Sequence, residues 1–217
     1  MPDDSLFLMS ATYTMNTSIN PLRALRAGSF RAVVLGFCLA ASVATAQDRW
    51  SWEFRPGAGF PTKKLGDANL KTGFGLEGTV TYRFLPHLGV YGGWSWNHFE
   101  ANRSFAGPKA EFEETGYTAG LEFLHPICSS KVSLLLRAGA VYNHIEAEND
   151  RGDCLADTGH GLGWRSEVGI AIPLGEQWRL QPSVRFHALS RDMKIGTATT
   201  SLELNYVSVS VGLSRTF

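Results

Sequence analysis

Residues 200–217 read TSLELNYVSVSVGLSRTF. From Val207 onward, Val207, Val209, Val211 and Leu213 alternate with Ser208, Ser210, Gly212 and Ser214, and the sequence stops on Phe217. Strict period-two alternation predicts a strand with one apolar and one small polar face. Because this strand comes last, its partner has to lie earlier in the chain. A closed barrel supplies that partner, since the last strand pairs with the first and no edge stays open. The apolar phase changes between Tyr206 and Val207, which predicts a bulge there.

Seven further stretches alternate in the same way: 50–60, 73–84, 88–99, 111–124, 132–144, 162–172 and 178–188. The segment 132–144, for example, sets Val132, Leu134, Leu136, Ala138, Ala140 and Tyr142 against Ser133, Arg137, Gly139 and Asn143. The connections alternate long (60–72, 98–109, 146–161, 189–200) and short (85–87, 125–131, 173–177). An up-and-down meander puts the long ones at one end, as in barrels with longer external loops and short periplasmic turns. The expected fold is therefore all-β, an eight-stranded antiparallel up-and-down transmembrane β-barrel.

Whether the apolar face points in or out separates a soluble barrel from a membrane barrel. The polar face carries Glu53, Arg55, Glu77, Arg83, Glu122, Arg137, Arg165, Glu167, Arg179 and Arg185. The aromatic residues break the tie. Trp50, Trp52, Tyr82, Phe84, Phe123, Trp178 and Phe217 fall near one rim. Phe60, Phe74, Trp94, Trp96, Tyr117, Tyr142, Trp164 and Phe186 fall near the other, with aliphatic and small residues between. Two aromatic girdles around an apolar band mark a lipid-facing exterior. Each strand has roughly 10 residues, enough to span when tilted by ~45°.

The N-terminal segment predicts the route to that membrane. Arg23, Arg26 and Arg31 precede an apolar run from Ala32 to Val43, followed by Ala44-Thr45-Ala46. That order reads as a signal peptide over residues 1–46 with cleavage specified by Ala44 and Ala46, and Met15 is expected as the true start. Residues 47–217 then form one domain, the outer-membrane barrel. The formal net charge is +0, which argues against a nucleic-acid partner. Twenty-three glycines and 12% aromatic residues, without a long helical pattern, fit an all-β chain.

With these features on the page, the sequence resembles the small eight-stranded outer-membrane barrels of Gram-negative bacteria, the class of the OmpA transmembrane domain and its single-domain relatives. The most specific element is the ending Gly212-Leu213-Ser214-Arg215-Thr216-Phe217. The resemblance implies that Gly212 and Phe217 belong to a signal read by the barrel-insertion machinery. Arg215 departs from the pattern, standing where an aromatic or aliphatic residue is usual. The resemblance also implies contact with outer-membrane lipid and lipopolysaccharide, and an external ligand held by the loops.

Several residues invite a chemical reading. Arg137, Arg165, Arg179 and Arg185 against Glu77, Glu122 and Glu167 are expected to pair inside the barrel and plug it, because an eight-stranded interior is only wide enough for side chains. A narrow solute channel is the alternative. His187 and Ser190, with Glu203, suggest a lipid A-modifying hydrolase, but residues three apart in a strand face opposite ways. No enzyme activity, cofactor or metal site is therefore expected. His98, His144, His160, Asp150, Asp153 and Asp157 read as solvated loop charge. Cys128 and Cys154 flank one strand and are expected not to form a disulfide, which needs Cα atoms within about 7 Å. The expected role is structural or surface interaction through the external loops.

Overall fold

The computed structural model describes residues 49–104, 107–149, 151, 153–195 and 198–217. The expected signal peptide, with Ala44 and Ala46, lies outside the described residues. Among the described residues nine strands follow one another: β1 Trp50–Pro61, β2 Gly73–Leu85, β3 Leu88–Ser104, β4 Gly107–Pro126, β5 Ser133–Glu148, β6 Cys154–Asp157, β7 Gly161–Pro173, β8 Trp178–Ile195 and β9 Ala198–Thr216. Every neighbouring pair is antiparallel. The order β4-β3-β2-β1-β9-β8-β7-β5, joined by β4–β5, closes a ring of eight. β9 meets β1 with Trp52 opposite Arg215 and Phe60 opposite Val207, so the first and last strands seal the barrel.

The ninth strand was not expected. β6 lies within the connection 146–161 and, among the described residues, pairs with β5 alone, outside the ring of eight. Two other connections read as long loops are mostly strand. β3 and β4 stay paired out to Ser104 and Gly107, and β8 and β9 out to Ile195 and Ala198.

The bulge expected between Tyr206 and Val207 is absent. His187 pairs with Tyr206 and Phe186 with Val207, and the register of β9 with both neighbours runs through unbroken. What changes there is the environment. On the lower part of β9, Ser208, Ser210 and Ser214 face inward and Val209, Val211 and Leu213 face outward. Above Val207 the inward residues are Tyr206, Leu204 and Leu202, all buried, while Asn205, Glu203 and Ser201 face out.

The same inversion occurs on β3 between Trp96 and Phe99, on β4 between Tyr117 and Phe112, on β5 between Tyr142 and Ile145, and on β8 between Phe186 and Leu189. Below this level the barrel is apolar outside and largely polar inside, with Leu124, Leu135 and Ala171 forming a small apolar cluster at the lower end; above it, the reverse. Lipid rewards an apolar exterior and water rewards an apolar interior, so the inversion level is where a wall suited to lipid gives way to one suited to water. The strands simply continue past it as water-exposed hairpins.

Candidate functional site

The lumen is built from inward positions on all eight ring strands. Glu53 and Arg55 come from β1, Glu77 from β2, Tyr91 from β3, Glu122 from β4, Arg137 from β5, Arg165 and Glu167 from β7, and Arg185 from β8. All are buried. Arg137 donates from Nε to Glu122 Oε2 at 2.9 Å, and its Nη1 lies 2.7 Å from Glu53 Oε2. Arg55 donates from Nε to Glu53 Oε1 at 2.9 Å and reaches Glu167 and Ser183. Arg185 bridges Glu167 Oε2 at 3.1 Å and Glu77 Oε2 at 2.7 Å. Arg165 pairs with Glu77 and donates to Tyr91 Oη at 3.2 Å. The Tyr91 ring carries Arg137 and Arg165 at 5.3 and 5.0 Å from its centroid. β9 joins through Ser214, which accepts from Gln181 at 3.1 Å.

Four arginines thus balance four glutamates in one connected network across the barrel. Two glycines make room for it. A Cβ on Gly212 would sit 1.8 Å from Glu53 Oε1, and one on Gly139 would sit 2.5 Å from Tyr91 Oη. Gly212, singled out in the sequence as part of the C-terminal signal, therefore has a packing role of its own.

The structure brings together Glu77, Glu122, Arg137, Arg165, Glu167 and Arg185, and adds Glu53 and Arg55, which the sequence placed on the polar face without assigning them to the plug. Arg179 stands at the start of β8, where its guanidinium donates to Thr216 Oγ1 at 2.9 Å. Alternation gave its face but not its height.

A second buried cluster lies at the inversion level and went unnoticed in the sequence. Glu114 accepts from Asn143 Nδ2 at 2.6 Å, Tyr206 Oη at 2.8 Å and Asn97 Nδ2 at 3.3 Å, with His187 Nε2 at 2.8 Å. The His187 ring stacks on Tyr206 at 4.7 Å. A carboxylate two residues from the inward Phe112 on β4, directly after an outward glutamate, was the available signal.

Above this cluster an apolar plug fills the mouth. Phe99, Phe112, Ile145, Leu189, Met193, Leu202, Leu204 and Tyr206 pack with Leu65 and Ala68, which the connection after β1 folds into the barrel. Gly66 takes φ +61° in that turn, a conformation other residues adopt at a cost. Leu65 and Ala68 exchange backbone hydrogen bonds of 3.0 Å, and Thr62 N donates to Asn205 O at 2.8 Å. Lys63–Glu203 and Lys71–Glu100, each 3.1 Å, pair at the surface.

His187 is buried and Ser190 is exposed on the opposite face, so the structure does not join them; Glu203 pairs with Lys63. Cys128 and Cys154 sit at opposite ends of β5 and are not bonded to each other. Cys128 turns with φ +50°. Outside the barrel, His144 Nδ1 lies 3.2 Å from Asp157 Oδ1 and 3.8 Å from Glu146 Oε1, with His160 stacked on its ring at 4.3 Å. His98 approaches Glu113 at 3.5 Å, and Asp153 accepts from Asn149 at 3.2 Å. Asp150 is outside the described residues.

The residues expected in the two girdles face outward, and several pair along the rims. Trp50 meets Tyr82 at 4.7 Å and Trp52 meets Trp178 at 5.6 Å on the lower rim. Phe74 meets Trp96 and Trp164 meets Phe186, each at 5.3 Å, on the upper. Phe84 is exposed below, Tyr142 above, and Trp94 lies beside Tyr117 in the β3–β4 register. Arg215 lays its guanidinium over Trp178, 5.7 Å from the centroid, and donates to Gln177 at 3.1 Å. A lipid-facing strand end thereby accommodates a charge at the rim.

Residues 31–217 match the model of the outer membrane protein beta-barrel domain. No curated protein matches the sequence. Among solved structures, the chain is similar to Neisserial surface protein A, with 14% identity and a TM-score of 0.57 over 80% of this chain and 100% of that one. It is similar to OprG of Pseudomonas aeruginosa, with 15% identity and a TM-score of 0.54 over 79% and 98%. It is also similar to outer membrane protein W of E. coli, with 19% identity and a TM-score of 0.52 over 79% and 100%.

Proposed function

The chain belongs to the outer membrane protein beta-barrel family, and from that premise we propose that it is a closed scaffold acting through the surface it carries outside the membrane, not through its lumen. The double seal supports this reading: a self-neutralised charge network below and an apolar plug above. An ion crossing such a lumen has to break buried pairs, at roughly 3–5 kcal/mol for each partner left alone. It then meets Ile145, Leu189, Leu202 and Leu204, which offer a bare ion nothing in return for its water.

The water-exposed ends of β3–β4, β5–β6 and β8–β9, with the connection 62–72, are the parts free to vary on a rigid base, and such segments carry binding. The partners under this reading are an external ligand on those hairpins, outer-membrane lipid and lipopolysaccharide around the apolar belt, and the insertion machinery at the last strand. The test is single-channel recording on protein whose insertion is verified by a boiling-dependent shift in gel mobility. Silent bilayers are expected. A reproducible unitary current would refute the closed scaffold and establish a narrow channel.

A further inference from the structure

We propose that the outer face of the β5–β6 hairpin is a zinc-type metal site whose protein ligands are His144 Nδ1, Glu146 Oε1 and Asp157 Oδ1. The three donors come from two strands, with Glu146 and Asp157 directly opposite each other in the β5–β6 register. Their ligand atoms all lie within 4.8 Å of one another, with His144 Nδ1 at 3.2 Å from Asp157 and 3.8 Å from Glu146. Tetrahedral zinc with bonds of about 2.0–2.1 Å holds neighbouring donors about 3.3 Å apart, so small side-chain movements complete the set. One imidazole and two carboxylates leave a fourth position, which here opens to the outside solution. Three protein ligands plus an exchangeable position is the pattern of zinc sites that engage a further molecule. An imidazole-containing set favours zinc over calcium or magnesium, which take oxygen ligands.

Two further features fit a cation at this place. Glu113, Glu146 and Asp157 occupy directly opposed positions on three adjacent strands, all on the outer face. Like charges placed directly across a sheet repel, and a divalent cation reverses that sign. The ring of His144 is also already held: His160 stacks against it at 4.3 Å with 12° between the planes, and Gly159 N donates to Asp157 Oδ1 at 2.7 Å. A preset imidazole and carboxylate reduce the ordering cost of binding. β6 is four residues long and is held by its pairing with β5 and by Ala156 against the apolar plug, so a metal bridging its outer face to β5 would add a staple on the water side. The site does not depend on whether the lumen conducts.

The test is calorimetric titration of the refolded full chain, in chelator-free zwitterionic detergent, with zinc chloride. Saturable binding at one zinc per chain is expected, weakened at least about tenfold in His144→Ala and in Asp157→Asn. It should be unchanged in His87→Ala, which alters a histidine at the other end of the barrel. All substituted side chains lie outside the core, and the boiling-dependent mobility shift confirms that each variant is folded. Zinc should also slow proteolytic cleavage between β5 and β6, an effect lost in the same two variants. No saturable binding, binding indifferent to both substitutions, or calcium binding more tightly than zinc would each overturn the proposal.

Discussion

Tyr206 on β9 donates a hydrogen bond to Glu114 on β4 across the barrel, 2.8 Å from oxygen to oxygen, while its ring meets Phe99 at 5.2 Å. One side chain thus touches both halves of the lumen. Its hydroxyl belongs to the polar half below the inversion level and its ring to the apolar plug above. A tyrosine is suited to such a boundary because its body is apolar and its tip is not.

Removing only the hydroxyl, by Tyr206→Phe, is expected to leave the plug packed but take a donor from the buried Glu114. A buried acceptor that loses its partner costs about 1–3 kcal/mol. Phe99→Ala, which empties part of the plug, is expected to cost about 3–5 kcal/mol. Urea titrations of the barrel in lipid vesicles measure both. A larger loss for Tyr206→Phe than for Phe99→Ala would mean that the polar contact, not the packing, holds the mouth shut.

Glu167 lies at the centre of the charge network, between Arg55, Arg185 and Arg137. Glu167→Gln keeps the volume and removes the charge, leaving one net positive charge buried in the lumen. The expected loss is about 3–5 kcal/mol in the same titration, with no gain of conductance because the apolar plug remains. A variant as stable as the parent would show that water already reaches the network.

Alternation by itself located every ring strand, and the two aromatic girdles decided which face points to lipid. It failed where water replaces lipid. Phe99 and Ala101, with Ala110 and Phe112, are out of phase with Trp94, Trp96 and Tyr117, so the continuing hairpin read as a loop. The same change of phase at Tyr206 read as a bulge, although the backbone runs straight through it. Period-two patterning reports which face is apolar, but not whether the apolar face is the inside or the outside. Alternation put the aromatic residues at the two rims but did not set which polar residues meet at one level. Arg179 and Arg185 share a face of β8, yet only the register shows that Arg185 lies opposite Glu167 while Arg179 lies near the strand's lower end. The Glu114 cluster draws on β3, β4, β5, β8 and β9, which the sequence could not bring to one level.

Cys128 and Cys154 report the topology directly. Cys128 lies in the turn between β4 and β5 and Cys154 begins β6 at the opposite end, and both are exposed. In intact cells a membrane-impermeant maleimide is expected to label Cys154 and to spare Cys128, with a Cys154→Ser variant giving no signal. Lysed cells should label both. Labelling of Cys128 in intact cells would invert the assignment of the two ends.

The position of the membrane boundary rests on the polarity inversion, and β9 offers the sharpest way to probe it. Val211 and Asn205 share the outward face of one strand, with Val211 near the middle of the apolar band and Asn205 just above the inversion level. Arginine is placed at both positions on the same face of the same strand, so the difference between them reports mainly on the surroundings. Lipid at the midplane penalises arginine by about 2–4 kcal/mol, whereas the interface and the water beyond it penalise it by about 0–1 kcal/mol. Val211→Arg is therefore expected to lower the unfolding free energy in vesicles by about 2–4 kcal/mol and Asn205→Arg by less than about 1 kcal/mol. Val209→Arg should fall between them, because it lies closer to the boundary on the same face. A graded series of this kind would place the boundary at Val207. Equal penalties at Val211 and Asn205 would mean that the lipid extends up the hairpins and that the outward polar residues of β9 are buried in it.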